Sequence, residues 1–156
     1  MVHGRFTRTP AVQNVAWFID AYTDEKLDLE PDYQRRSVWT HSDKVYFLDT
    51  IFNGYPCPPV YMNQTIDDNG RTTYHVIDGK QRLETILKFV NNEFALSKNF
   101  SIEELRGKRW RHIDIKRKRL FWAYIITVEQ IDVDLETDPK LIDAIFDRLN
   151  RNTKKL

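Results

Sequence analysis

The residues most able to do chemistry stand where a β-rich run stops at an acid and a glycine and an amphipathic segment begins at once: Tyr74-His75-Val76-Ile77-Asp78-Gly79-Lys80-Gln81-Arg82-Leu83. The start of a helix presents backbone N–H groups and the positive end of its dipole, so it attracts anions. Gly79 would let a ligand approach the backbone closely, and Lys80 and Arg82 add two cations in the first turn. Cations are locally unfavourable at that end. An anion that compensated them would account for their presence, because Arg grips phosphate oxygens with two N–H groups while Lys supplies a mobile point charge. Asp78 could ligate a metal ion or accept a hydrogen bond from a ribose hydroxyl or a water. The same residues also read as a capping box, Asp78 with Gln81 three positions on, which would stabilise the helix by about 1 kcal/mol and leave Gly79 a plain tight turn.

A second polar cluster is Pro31-Asp32-Tyr33-Gln34-Arg35-Arg36-Ser37-Val38-Trp39. Gln34 and Arg35 beside aromatic rings could hold a base and a phosphate, or form salt bridges around a packed Trp. A third is Phe146-Asp147-Arg148-Leu149-Asn150-Arg151-Asn152, where Arg148 and Asn150 fall off the apolar face set by Ile142, Ile145, Phe146 and Leu149. Taken alone this is a solvated helix end. Charge is unevenly distributed: Arg106–Arg119 carries eight bases and one acid, +7 over fourteen positions, whereas Glu129–Asp138 carries five acids and no base. Arg109, Arg111, Lys116, Arg117 and Arg119 could contact nucleic-acid phosphates, although charge runs commonly do no more than solvate a face. Trp110, Phe121 and Trp122 could stack on bases, but core packing suits them better.

The elements that must position these residues follow from periodicity. Ala11–Tyr22 spaces Val12, Val15, Ala16, Phe18 and Ile19 as an amphipathic helix, entered through Thr9-Pro10. Leu27 and Leu29 alternate as a short strand. Ser42–Phe52 is a helix through Val45, Leu48, Ile51 and Phe52, ended by Asn53-Gly54. Val60–Met62 and Thr73–Ile77 flank Asp67-Asp68-Asn69-Gly70, a hairpin turn. Gly79–Asn91 is a helix, Ser101–Leu105 a short one with Ser101 and Glu104 in capping-box register, Asp114–Phe121 helical, Ala123–Ile131 a strand and Pro139–Leu149 the last helix. The class is α+β, a small mixed sheet with an antiparallel hairpin packed by several helices.

Composition narrows the field. A chain of 156 residues with 41% hydrophobic and 13% aromatic residues can bury one core, so a single domain spanning 1–156 is expected and disorder is not. The longest apolar run, Leu120–Ile126, is far short of the roughly 20 residues that cross a bilayer, and the N-terminus lacks a signal peptide's apolar stretch, so no membrane partner and a cytoplasmic location are expected. One cysteine, Cys57, forms no internal disulfide and builds no cysteine metal site. A net charge of +1 gives no global field toward nucleic acid. Neither GxGxxG nor a Walker loop occurs.

Four motifs in order carry a resemblance: Pro31-Asp32-Tyr33-Gln34-Arg35 with Trp39, Ile51-Phe52-Asn53-Gly54-Tyr55-Pro56 with Pro58-Pro59, Ile77-Asp78-Gly79-Lys80-Gln81-Arg82-Leu83, and Phe146-Asp147-Arg148-Leu149-Asn150. Over residues 11–156 the chain resembles the N-terminal domain of GmrSD-type modification-dependent restriction endonucleases, number 262 among the domains of unknown function. That domain is similar in fold to the ParB and sulfiredoxin group. The resemblance implies binding and hydrolysis of a nucleoside triphosphate, dependence on a divalent cation (Mg²⁺ or Ca²⁺), and a regulatory role in prokaryotic DNA restriction or anti-phage defence. By position, the family's Asp-Gly-Gln-Gln-Arg signature falls on Asp78, Gly79, Lys80, Gln81 and Arg82, with Lys80 departing from the commonest form. Gln34 and Arg35 match its upstream polar pair, and Arg148 and Asn150 its Arg-Leu-Asn element.

The leading expectation is therefore Asp78 and Arg82 in catalysis, Asp78 also orienting the metal ion or a water, and Gln34, Arg35, Gly79, Lys80, Gln81, Arg148 and Asn150 around the nucleotide. The alternative is a DNA-sensing module that uses the basic stripe without hydrolysis, and a third reading is a scaffold with a vestigial pocket. Family members usually continue into a helical region and often a His-Asn-His nuclease domain, so no nuclease center is expected before Leu156, and a nuclease domain or subunit is an expected partner. Sulfiredoxin chemistry needs a cysteine in the phosphate motif; Gln81 is no thiol, so reductase activity is not expected.

Overall fold

The computed structural model describes residues 7–29, 38–132 and 140–154. In chain order the elements are β1 (Thr7–Asn14), α1 (Val15–Thr23), β2 (Leu27–Asp28), α2 (His41–Phe52), β3 (Val60–Ile66), β4 (Thr72–Asp78), α3 (Lys80–Val90), two single-turn 3₁₀ helices (Glu103–Leu105 and Trp110–His112), α4 (Ile115–Ala123), β5 (Ile125–Asp132) and α5 (Leu141–Lys154). The strands form a mixed sheet in the order β1-β5-β3-β4-β2. The β1/β5 and β3/β4 pairs are antiparallel, and the β3/β5 and β2/β4 pairs parallel. The α+β class follows, with the hairpin where the turn residues place it: Asp67 Oδ1 accepts from the backbone N–H groups of Asn69 and Arg71, both at 2.9 Å.

Alternation along the strands separates two apolar clusters. Val60, Met62, Val76, Ile126 and Val128 face a large core that also contains Val15 and Phe18 of α1, Leu48 and Ile51 of α2, Leu83, Ile86 and Phe89 of α3, and Phe121 of α4. Ile77 and Ile131 face the other way, with Tyr61, and meet Ile142, Ile145, Phe146 and Leu149 of α5. The face predicted for that last helix is the face it buries. Trp110 and Phe121 belong to the large core, their rings 5.0 Å apart, and Trp122 packs on Trp110 at 5.7 Å. Packing, rather than base stacking, is what they do.

Three local expectations are corrected. Ala11–Asn14 is strand, not helix: β1 runs from Thr7 opposite Asp132 to Asn14 opposite Ile125. Pro10, which lacks an N–H, is tolerated because β1 is an edge strand. The helix starts at Val15, where the Asn14 side chain accepts from the Trp17 N–H at 2.8 Å. Ser101 and Glu104 form no capping box: the 3₁₀ turn begins at Glu103 with Ile102 before it, and the Ser101 hydroxyl accepts from Asn53 Nδ2 at 3.1 Å. Nor do Asp78 and Gln81, since Gly79 occupies the N-cap of α3 and makes no side-chain bond.

Candidate functional site

Asp78 is the last residue of β4, and the ladder is irregular just before it. Met62 lies opposite Val76 but Tyr61 opposite Asp78, so one extra residue, Ile77, is accommodated on β4. Such bulges turn a strand and re-aim the side chain that follows. The chain then passes through Gly79 at φ +113°, a left-handed geometry that favours glycine. A Cβ built there would sit 2.9 Å from a Val60 methyl and 3.3 Å from an Arg82 η nitrogen. Conformation and space therefore both require glycine, and the strand can turn into α3 without a longer loop.

Arg82, in the first turn of α3, is only 8% exposed. One η nitrogen donates to the Pro58 carbonyl and lies 3.8 Å from Cys57 Sγ. The other donates to the Pro59 carbonyl at 3.0 Å and stands 3.7 Å from Asp78 Oδ2. The same segment is held at its start by the Tyr124 hydroxyl, which donates to the Tyr55 carbonyl at 2.5 Å. Burial, reinforced by a hydrogen bond with Cys57, pushes the Tyr124 hydroxyl's pKa well above its usual value. Gln81 Oε1 accepts from the Trp39 backbone N–H at 3.2 Å, tying the approach to α2 to the start of α3. Burial also raises the Asp78 pKa above 3.8, opposed by the Arg82 charge and the Gly79 N–H.

Between these parts lies a cavity of about 890 Å³. Asp78, Gly79, Lys80, Gln81 and Arg82 form one wall, and Tyr55 to Pro58 another. Ser42, Asp43, Tyr46, Phe47 and Thr50 of α2 form a third, with Trp39 and Phe146 completing the lining. Tyr46 and Tyr55 stay 77% and 59% exposed. The Asp43 carboxylate is engaged in capping α2, accepting from the Thr40 N–H at 2.9 Å and the Thr40 hydroxyl at 3.0 Å. The space therefore has a polar end at the strand-to-helix corner and an aromatic side along α2.

The whole corner motif thus lines one cavity. Gln34 and Arg35 lie outside the described residues. Arg148 is exposed and does not line the cavity, and the Asn150 side chain also lies outside the described residues, although Phe146 of the same motif does line it. The α2 wall was missed by sequence reasoning; its signal was Tyr46 and Thr50, four apart on the side of the helix opposite Val45 and Leu48. No group of three His, Cys, Asp or Glu side chains is gathered for a metal ion among the described residues.

The basic stripe is not one face, because it crosses a 3₁₀ turn, a connecting loop and α4. Arg109 donates to the Asn92 carbonyl at 2.8 Å, and Arg117 pairs with Asp114 at 3.2 Å and Glu104 at 3.5 Å. Arg111, Lys116 and Arg119 are exposed. Elsewhere, His75 on β4 lies between Asp28 Oδ2 on β2 (2.8 Å from Nδ1) and the Thr65 hydroxyl on β3 (2.9 Å from Nε2). A smaller cavity, about 560 Å³, is lined by Ile19 and Tyr22 of α1 and Glu84, Leu87 and Lys88 of α3, and contains none of the predicted site residues. No helix among the described residues is long and apolar enough to cross a membrane.

Neither a curated protein nor a solved structure matches the chain. A family model does: the cavity wall, the corner motif and α5 all fall within residues 18–156, which match the GmrSD restriction endonuclease N-terminal domain, and the chain belongs to that family, which supports a role in restriction and defence.

Proposed function

We propose that this chain is a domain that binds and hydrolyses a nucleoside triphosphate and so regulates a prokaryotic DNA-restriction or anti-phage defence protein. The observation that carries the reading is the cavity itself, which brings Asp78, Gly79, Lys80, Gln81 and Arg82 to one wall at the start of a helix. Polyphosphate at that end meets the helix dipole and the Lys80 charge. Lys80 supplies charge directly. Arg82 acts from behind, since its bonds to the Pro58 and Pro59 carbonyls build the wall while its charge stays beside Asp78. Hydrolysis of a phosphoryl group depends mainly on charge neutralisation and a positioned water.

The donor set fits a divalent ion held in part by the ligand. Asp78 offers one carboxylate, and Mg²⁺ characteristically takes one or two carboxylates together with substrate phosphates. Such an ion would neutralise phosphate charge, and Asp78 would hold it or the attacking water. Gln34, Arg35, Arg148 and Asn150 belong to the proposal by family position, not by contact.

The test is a thermal-shift and titration series with the four nucleoside triphosphates, each with Mg²⁺ or Ca²⁺. Ligands that bind the native state raise Tm, by about 2.7 kcal/mol of stability at one hundred times Kd. Lys80→Ala should remove most of that shift. A panel with no shift overturns the reading.

The exposure of Arg111, Lys116 and Arg119 favours a second reading, a DNA-contact surface outside the cavity. Three phosphate contacts would give a log–log salt slope of about −3. Duplex binding with no salt slope, or none at low salt, removes it.

A further inference from the structure

Two tyrosines at the cavity are difficult to explain by folding alone. Tyr46 projects from α2 and remains 77% exposed, and Tyr55, just past the end of that helix, remains 59% exposed, yet both line the same cavity as the Asp78–Arg82 corner. Among the other described aromatic residues most rings are spent on packing, Phe18, Phe89 and Phe121 being essentially fully buried, while Tyr22 stays 49% exposed. Thr50, one turn on from Tyr46, donates its hydroxyl to the Tyr46 carbonyl at 3.2 Å, so that donor is already engaged. The α2 side therefore offers the exposed Tyr46 ring beside the Ser42 hydroxyl, with its lining carboxylate, Asp43, already engaged, while Asp78, Lys80 and Arg82 stand at the strand-to-helix corner.

Resting on the nucleotide reading above, we propose that Tyr46 and Tyr55 form a base-stacking wall, so that the ligand enters with its polyphosphate at the corner and its heterocyclic ring against α2. A ring laid there would cover the aromatic area now open to water. Stacking of a base on a tyrosine is sequence-tolerant and, by the usual effect of alanine substitution, changes affinity about tenfold or more per ring. The asymmetry of the cavity then sets the ligand's orientation: a polyphosphate without a base would use one end only.

The experiment is titration calorimetry of the full chain and of Tyr46→Ala, Tyr46→Phe, Tyr55→Ala and Tyr55→Phe with ATP, GTP, CTP, UTP and inorganic tripolyphosphate, each with Mg²⁺. Both side chains are largely exposed, so the variants should fold; their melting curves check this. The expected result is a loss of about tenfold for nucleotides in each alanine variant, little change in the phenylalanine variants, and unchanged tripolyphosphate affinity throughout. Unchanged nucleotide affinity in the alanine variants overturns the stacking wall and leaves the nucleotide reading standing. An equal loss for tripolyphosphate also overturns it, since the tyrosines would then act through the phosphate end. If the unmodified chain binds no nucleotide, both readings fall.

Discussion

Arg82 reaches from the first turn of α3 to the Pro59 carbonyl, 23 residues earlier in the chain, and bonds it at 3.0 Å while a second nitrogen bonds Pro58. A residue read from sequence as a phosphate ligand is therefore also a clamp. Arg82→Ala would leave two carbonyls without their donor, and hydrogen bonds to charged groups contribute about 1.5–3 kcal/mol each. We expect Tm to fall and nucleotide affinity to fall with it. Arg82→Lys, which keeps the charge but not the fork, should recover less than half of the lost stability. Thermal melts of both variants check this; an Arg82→Ala protein with the parent's Tm would show that the clamp carries no stability.

Asp78 gives a pH dependence whose sign can be worked out. Burial raises its folded pKa above 3.8. Between 3.8 and the raised value the folded state holds more protons than the unfolded state, so stability rises as pH falls through that window, and the penalty of the buried charge is fully present above it. Asp78→Asn should abolish that dependence within the window and remove the constant penalty of the buried charge above it. In the absence of metal, tripolyphosphate should bind the parent more tightly as Asp78 loses its charge, while Asp78→Asn shows only the ligand's own titration. Identical pH profiles for the two proteins would remove Asp78 from the phosphate end.

Cys57 lines the cavity and is the chain's one cysteine, so its alkylation reports occupancy without ambiguity. Saturating nucleotide with Mg²⁺ should slow iodoacetamide labelling severalfold. Labelling at the same rate with the ligand demonstrably bound would place the ligand outside this cavity.

Asn63 is fully buried on β3, and among the described residues neither its side-chain oxygen nor its nitrogen has a hydrogen-bond partner. An unmet buried polar group costs about 1–3 kcal/mol. Asn63→Leu, similar in size, should therefore raise Tm by roughly 2–12 °C, taking 2–4 °C per kcal/mol for a chain of this length. A lower Tm would show that the amide has found a partner.

Local patterns were legible where local physics decides. The Asp67–Gly70 turn, the stop of α2 and the apolar faces of α3 and α5 all depend on residues a few positions apart. The first strand was not legible: spacing from Val12 to Ile19 suits a helix, and only pairing with β5, more than one hundred residues later, makes Ala11–Asn14 extended. At the site, the corner motif was visible as a motif, but neither Arg82's carbonyl partners nor Gln81's bond to Trp39, 42 residues away, leaves any trace in spacing. The aromatic side of the cavity was hidden for the same reason, since Tyr46 on a polar helix face looks like any solvated residue until the Asp78 corner is found lining the same cavity.

Three prolines, Pro56, Pro58 and Pro59, stand in or beside the wall that Arg82 and Tyr124 hold from opposite ends. Each ring fixes one backbone torsion before any guest arrives. The host side of the pocket is thus rigid in advance, so little loop ordering opposes capture, and a guest should meet a wall that is already in its final shape.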